Sequence, residues 1–125
     1  MKRKLIGLLS TGIILSGCST IVENSLETGN GSMELLTPTI TPKDNEVEIK
    51  TEGIDENKVT FIYVANEKVF EQKIKNDESY KLNIKGIKNA HRTDYKPKVQ
   101  LVQTKDDNKD GEMVTFKQVR YTVKN

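Results

Sequence analysis

Apolar and polar residues alternate along most of the chain after residue 37, and the helical spacing of apolar residues does not persist anywhere in that region. Alternation with period two is typical of strands with one face in the core and the other in solvent. In residues 59–64 both the odd and the even positions are apolar, with Thr60 as the exception. This pattern is typical of a central strand that is buried on both faces. The alternating segments are residues 47–51, 69–75, 80–85 and 95–101.

Two further segments carry strand signals of a different kind. Residues 39–41 lie between Pro38 and Pro42, and proline is confined to edge strands and strand starts because it has no N–H to donate. Residues 113–124 change apolar parity, and a β-bulge near Lys117 and Gln118 explains that change. The four alternating segments, residues 59–64 and these two further segments make seven short strands in all. Seven short strands predict a single all-β sandwich of two sheets over residues 38–125.

The order of these segments resembles the fibronectin type III and immunoglobulin-like superfamily. Residues 80–87, followed by Tyr95-Lys96-Pro97-Lys98-Val99, are similar to the type III run from strand E through the tyrosine corner into strand F. The resemblance implies that Tyr95 is the corner tyrosine, with its hydroxyl bonded back to the backbone. A sandwich of this class does not define a function, because such domains serve adhesion, scaffolding and spacing alike.

The N-terminus has the features of a signal peptide. Lys2-Arg3-Lys4 precedes an apolar segment at residues 5–15, which is shorter than the roughly 20 residues of a membrane-spanning helix. Leu15-Ser16-Gly17-Cys18 follows, and it contains the only cysteine of the chain. These residues resemble the bacterial lipobox. The resemblance implies cleavage between Gly17 and Cys18, a diacylglycerol on the Cys18 thiol, and a lipid-anchored location on the extracytoplasmic face of the cell membrane.

The predicted domains are therefore a cleaved signal peptide at 1–17, a lipidated cysteine with a flexible tether at 18–37, and the sandwich at 38–125. The tether prediction rests on a polar stretch that contains Gly, Asn and Ser. Removing residues 1–17 removes three of the 20 basic residues and no acid, which leaves 17 basic against 18 acidic side chains. This near-neutral balance argues against nucleic-acid binding.

Few residues indicate chemistry. Asp106, Asn108 and Asp110, followed by Gly111, resemble the start of a calcium-binding loop, although Lys117 stands where such a loop has its bidentate glutamate. A solvated turn explains the same residues, and a weak calcium site is the alternative. His91 is the only histidine and is predicted to be an exposed loop residue. With no thiolate or second histidine for zinc and no paired nucleophile and base, we expect a protein that is not an enzyme and needs no cofactor.

Charge is distributed unevenly along the chain. Residues 33–57 hold seven acids and two lysines, whereas residues 68–98 hold nine Lys or Arg and four acids. If the strands at 69–75, 95–101 and 113–124 share one sheet, its outer face is basic and is a candidate for binding anionic lipid or wall polymers. Lysines that only keep the sheet soluble are the alternative. The residues predicted on this face are Lys73, Lys75, Lys96, Lys98, Arg120 and Lys124.

These features predict a non-enzymatic surface lipoprotein that binds or spaces a component of the cell envelope, such as an anionic polymer or an envelope protein. The 17 lysines against 3 arginines are typical of A/T-rich Gram-positive bacteria. The alternative is an exclusion or immunity lipoprotein, encoded by a prophage or plasmid, that blocks an incoming phage or toxin at the membrane. The small size and the lack of catalytic residues suit both readings equally.

Overall fold

Nine strands and one short 3-10 helix, Lys88–His91, make up the part of the chain that the computed structural model describes, residues 27–125. The predicted signal peptide, with the predicted cleavage site at Gly17 and the predicted lipidation site at Cys18, lies outside the described residues. The strands are β1 Ser32–Leu35, β2 Thr39–Ile40, β3 Glu46–Glu52, β4 Thr60–Val64, β5 Glu67–Gln72, β6 Ser79–Asn83, β7 Lys98–Thr104, β8 Met113–Arg120 and β9 Thr122–Val123.

The strands form an all-β sandwich, as the alternation predicts. One sheet has three antiparallel strands in the order β1-β3-β6, and the other has four in the order β5-β4-β7-β8. Strand β2 pairs in parallel with β9. The expectation that the strands at 69–75, 95–101 and 113–124 share one sheet is confirmed, because β5, β7 and β8 all belong to the four-stranded sheet.

The core lies between the two sheets and consists of the inward-facing members of each alternating pattern. Removal of these apolar side chains from water is the main force that holds the sheets together. In β3, the inward positions Val47, Ile49 and Thr51 are buried, and the residues between them are more exposed. The core side chains with no exposed surface include Val47, Ile49, Leu82, Ile84, Ile62, Val64, Val99, Leu101 and Tyr121.

The domain begins earlier than the sequence predicts. Strand β1 lies inside the segment assigned to the tether, and it pairs with β3, so that Met33 is buried and Leu35 packs against the core. Thr28 also pairs with Phe116 of β8 through two backbone hydrogen bonds of 3.0 and 2.9 Å. The predicted boundary at residues 37 and 38 is therefore wrong. Strand β1 is fixed by its pairing with β3, more than ten residues further along the chain, and a local pattern does not contain that contact.

Two glycines carry the chain from the edge of β8 to the start of β1. Gly29 and Gly31 have φ angles of 84° and 86°, a region that favours glycine. A Cβ atom at Gly31 would lie 2.5 Å from the carbonyl oxygen of Glu52, so no other residue fits there without a shift. Lys117 fixes the same segment, because its Nζ donates a hydrogen bond of 2.9 Å to the Gly29 carbonyl oxygen.

The bulge in β8 lies nearer its start than predicted. The register of β7 and β8 shifts between Gln103 and Thr104, which pair with Thr115 and Met113, so the unpaired residue is Val114 rather than Lys117 or Gln118. After this bulge the inward positions run Thr115, Lys117, Val119 and Tyr121 without a further change. The prediction failed because the inward Lys117 interrupts the apolar pattern although its side chain is buried.

Two tyrosines anchor the connection between β6 and β7. The hydroxyl of Tyr95 donates to the carbonyl oxygen of Asn89 at 3.2 Å, a bond back to the backbone like the one the resemblance implies, but the residue is 42% exposed. Tyr121 has no exposed surface, and its hydroxyl donates to the carbonyl oxygen of Ala90 at 2.6 Å. The buried tyrosine that holds this connection against the core is therefore Tyr121.

Candidate functional site

The loops gather at the two ends of the sandwich, and the two ends carry opposite charge. We call the first the basic end; it comprises residues 36–46, 65–67, 84–98 and 120–125, with eight Lys or Arg against four Asp or Glu. We call the second the acidic end; it comprises residues 52–59, 73–78 and 105–112, with five Lys against nine Asp or Glu. Each end thus has a formal excess of four charges, of opposite sign.

The structure divides the predicted basic face between these two ends. Lys98 and Arg120 are direct partners across β7 and β8, and Lys96 and Lys124 flank them at the basic end. Lys73 and Lys75 follow the last residue of β5 at the acidic end. The two sets are separated by about five residues, or roughly 16 Å, along the strands. The prediction of one continuous face is therefore wrong.

The division has a simple cause in the path of the chain after β5. The strand ends at Gln72, and residues 73–78 cross to the three-stranded sheet instead of continuing the alternation. The backbone N–H of Lys75 donates to the Tyr80 hydroxyl at 2.8 Å, and that of Asp77 donates to the Thr51 carbonyl oxygen at 2.8 Å. These bonds hold residues 75–77 in a loop between the two sheets.

The basic end contains a small cleft of about 300 Å³, lined by hydrogen-bond donors. Its charged members are Lys98 and Arg120, and the Arg120 guanidinium also donates to the Lys96 carbonyl oxygen at 2.9 Å. Ammonium, guanidinium, amide and phenol groups in one cleft suit a ligand with anionic oxygens, such as a phosphate or a carboxylate. The residues lining the cleft are Ala65, Asn66, Asn89, Tyr95, Lys98 and Arg120.

An ion pair stands beside this cleft. The Arg92 guanidinium lies 4.9 Å from the centre of the Tyr95 ring, and it also forms an ion pair with Asp94. The hydrogen bond and charge of Arg92 lower the pKa of Asp94, so this carboxylate stays ionised and offsets the charge of Arg92. The net positive charge of the basic end therefore comes mainly from its other cations.

His91 also lies at the basic end, but it is half-buried rather than exposed as predicted. Its Nδ1 lies 2.9 Å from the carbonyl oxygen of Ile87, and its Nε2 lies 2.8 Å from that of Asp44. Carbonyl oxygens only accept hydrogen bonds, so the doubly protonated ring can donate to both and the neutral ring to one. His91 thus joins the 3-10 helix to the loop that contains Asp44. Sequence alone gave no signal for this role, because both partners are backbone atoms.

The predicted calcium-binding residues form a hydrogen-bonded turn. Asp106 Oδ1 accepts from the Asn108 N–H at 3.2 Å, and Asn108 Oδ1 accepts from the Asp110 N–H at 3.0 Å. Asp110 forms an ion pair with Lys109 at 3.3 Å. These are the local bonds by which Asp and Asn stabilise turns. Within residues 27–125, no group of three or more His, Cys, Asp or Glu side chains is placed to hold a metal ion.

A second surface, on the outer face of the four-stranded sheet, was not predicted. Phe61, Val102 and Phe116 are direct cross-strand partners, and both phenylalanines are buried although they face away from the main core. Beside them lies an open groove of about 420 Å³ between the sheet and the turn that follows β7. The sequence feature that could have indicated this surface is that residues 59–64, apart from Thr60, are apolar at both odd and even positions. That pattern indicated burial on both faces but not which face was the core.

No match was found when the chain was compared with protein-family models, with curated proteins and with solved structures. In residues 27–125, no helix has the length and apolar character needed to cross a membrane.

Proposed function

We propose that this protein is a membrane-anchored surface lipoprotein whose sandwich domain is a non-enzymatic binding or spacing module of the bacterial cell envelope. The observation that carries this proposal is the sequence Leu15-Ser16-Gly17-Cys18 behind a basic start and a short apolar segment. Two acyl chains on one thiol anchor a protein far more firmly than one, because each buried methylene contributes about 0.8 kcal/mol.

The early start of the domain favours a function close to the membrane. Only residues 19–27 separate Cys18 from Thr28, the first of the described residues that pairs with the four-stranded sheet. Whatever its conformation, a chain of that length reaches at most about 35 Å, because each residue spans at most about 3.6 Å. A lipid on Cys18 would therefore hold the folded domain against the surface of the bilayer.

The surfaces of the domain support a binding role more than a catalytic one. The basic end offers a cleft of donors for anionic oxygens, and the four-stranded sheet offers a partly apolar groove. The sole histidine faces two backbone carbonyl oxygens, whereas general-base catalysis needs an imidazole directed at a nucleophile. These are the features of a module that recognises a surface or spaces another component.

Labelling with a clickable fatty acid tests the proposal on the full chain expressed in bacteria. We expect the wild-type chain to be labelled and cleaved before Cys18, and we expect Cys18→Ser to be neither labelled nor cleaved, because the thiol is the acceptor of the lipid. Ser19→Ala is the matched control, since it alters the adjacent residue and keeps the thiol. Equal labelling of wild type and Cys18→Ser would refute the lipoprotein assignment.

A further inference from the structure

The first described residues run along β8 towards the basic end. Thr28 pairs with Phe116 in antiparallel orientation, and the Gln118 N–H donates to the Glu27 carboxylate at 2.9 Å. Going backwards along the chain from Thr28 to Glu27 is therefore going forwards along β8, in the direction of Arg120. The described backbone from Thr28 to Glu27 therefore runs towards the basic end, and Glu27 lies about 10 Å short of the level of Arg120.

Charge points the same end towards an anionic bilayer. Each Lys or Arg held near an anionic leaflet contributes about 1 kcal/mol, which is about a five-fold factor in occupancy. The basic end has an excess of four positive charges and would be attracted, while the acidic end has an excess of four negative charges and would be repelled. Both effects favour the same orientation of the domain, although the net charge of the described residues is close to zero.

We propose that the basic end docks on the headgroups of anionic phospholipids, with the long axis of the sandwich upright and the acidic end directed away from the membrane. This inference rests on the proposed function, because the lipid on Cys18 brings the domain to the surface on which it docks. The cleft that contains Lys98 and Arg120 would receive a headgroup phosphate. The groove on the four-stranded sheet would remain open to a partner in the envelope.

Energy transfer between the protein and labelled lipid measures this orientation on the intact lipoprotein. Cys18 is the only cysteine, so once its thiol is acylated an introduced cysteine is the only free thiol. Thr93→Cys places a dye at the basic end and Glu112→Cys places one at the acidic end, and both positions are exposed. The protein is reconstituted into vesicles of phosphatidylcholine with or without phosphatidylglycerol, with an acceptor dye on the headgroups.

We expect stronger transfer from position 93 than from position 112 in anionic vesicles, because a seven-residue strand such as β7 separates the ends by about 23 Å. The difference should shrink in neutral vesicles. It should also shrink as salt shortens the Debye length from about 10 Å at 0.1 M to about 3 Å at 1 M. Equal transfer from both positions in anionic vesicles at low salt would overturn the proposal.

Two double variants with the same change in net charge separate the basic end from the overall charge. Lys88→Gln with Lys96→Gln should reduce the docked population about 25-fold, at about five-fold for each lysine. Lys73→Gln with Lys75→Gln should leave docking unchanged, because those residues lie at the acidic end. All four positions are exposed, so the folds of the variants should be intact. Equal loss in the two double variants would show that net charge acts without orientation.

The outcome for docking is distinguishable from that for the proposed function. A chain without fatty acid on Cys18 contradicts the lipoprotein assignment, and docking is then tested by sedimentation of the same chain with anionic vesicles. Sedimentation that depends on Lys88 and Lys96 supports the basic end as a lipid-binding surface, and no sedimentation overturns it. Binding to purified teichoic acid without binding to anionic vesicles also overturns it, since the partner would then be a wall polymer.

Discussion

Replacing Tyr121 by alanine is expected to destabilise the domain far more than the same change at Tyr95. Tyr121 has no exposed surface, and removal of a buried aromatic side chain costs about 3 to 5 kcal/mol. The change also leaves the carbonyl oxygen of Ala90 without its 2.6 Å hydrogen bond in a fully buried position, at a further cost of about 1 to 3 kcal/mol. Together these costs approach the whole stability of a typical domain.

Tyr95 presents the opposite situation, although the sequence resemblance implied that it was the anchoring tyrosine. It is 42% exposed, its 3.2 Å hydrogen bond to Asn89 lies at the surface, and its ring contacts the Arg92 guanidinium. An exposed contact between a cation and an aromatic ring contributes about 0.5 to 1 kcal/mol. With some lost packing, we expect Tyr95→Ala to cost under about 2 kcal/mol.

Urea and thermal unfolding, both followed by far-ultraviolet circular dichroism, measure the two variants in the full chain, which contains no tryptophan to report by fluorescence. For a domain of this size, each kcal/mol corresponds to about 4 to 8 °C in the thermal midpoint, so Tyr121→Ala should lower the midpoint by about 15 °C or more, or prevent folding. Tyr121→Phe keeps the ring and removes only the hydroxyl, and it should cost about 1 to 3 kcal/mol. A Tyr95→Ala variant as unstable as Tyr121→Ala would refute this assignment of the anchor.

The inward and outward parity of β6 is tested by Leu82→Ala, which should cost about 2 to 5 kcal/mol because Leu82 is fully buried, whereas the adjacent Lys81→Ala should cost under about 0.5 kcal/mol. Similar urea midpoints for the two variants would contradict the parity. Alkaline pH tests the burial of Tyr121, which raises the pKa of its hydroxyl far above the ordinary value of 10.0. In the unfolded chain this hydroxyl ionises near pH 10, so its stabilising contribution is complete below about pH 10 and is lost as pH rises towards the raised folded value. The urea midpoint of the wild type should therefore fall more steeply above pH 10 than that of Tyr121→Phe, and parallel curves would contradict the burial of an un-ionised hydroxyl.

The sandwich could be predicted because most of its strands bury every second side chain. The inward positions Val47 and Ile49 of β3 and Leu82 of β6 are apolar and fully buried, and the residues between them are polar. Strand β1 escaped this reasoning because only Met33 and Leu35 face inward in a segment that follows two glycines. Its position depends on pairing with β3, more than ten residues further along the chain, and local pattern does not contain that contact.

The basic cluster could be predicted only in part, for a related physical reason. Lys98 and Arg120 lie opposite each other because both stand on the outward parity of neighbouring strands. Lys73 and Lys75 would also point outward if β5 continued, because they stand at alternate positions after it. Alternation fixes the direction of a side chain only within a strand, however, and β5 ends at Gln72. Where a strand ends is decided by partners elsewhere in the fold, here the Tyr80 hydroxyl and the Thr51 carbonyl oxygen.

The segment that the sequence assigned wrongly has consequences for the proposed orientation. The predicted tether at 18–37 had about twice the length that separates Cys18 from Thr28. Effective concentration falls roughly as the −3/2 power of tether length, so halving the tether raises it about three-fold at the membrane surface. Thr28 pairs with β8 in antiparallel orientation, so the described backbone from Thr28 to Glu27 runs towards the basic end. If Cys18 carries the proposed lipid, the contacts that begin the domain at Thr28 would therefore hold the basic end closer to the membrane than the predicted 18–37 tether would.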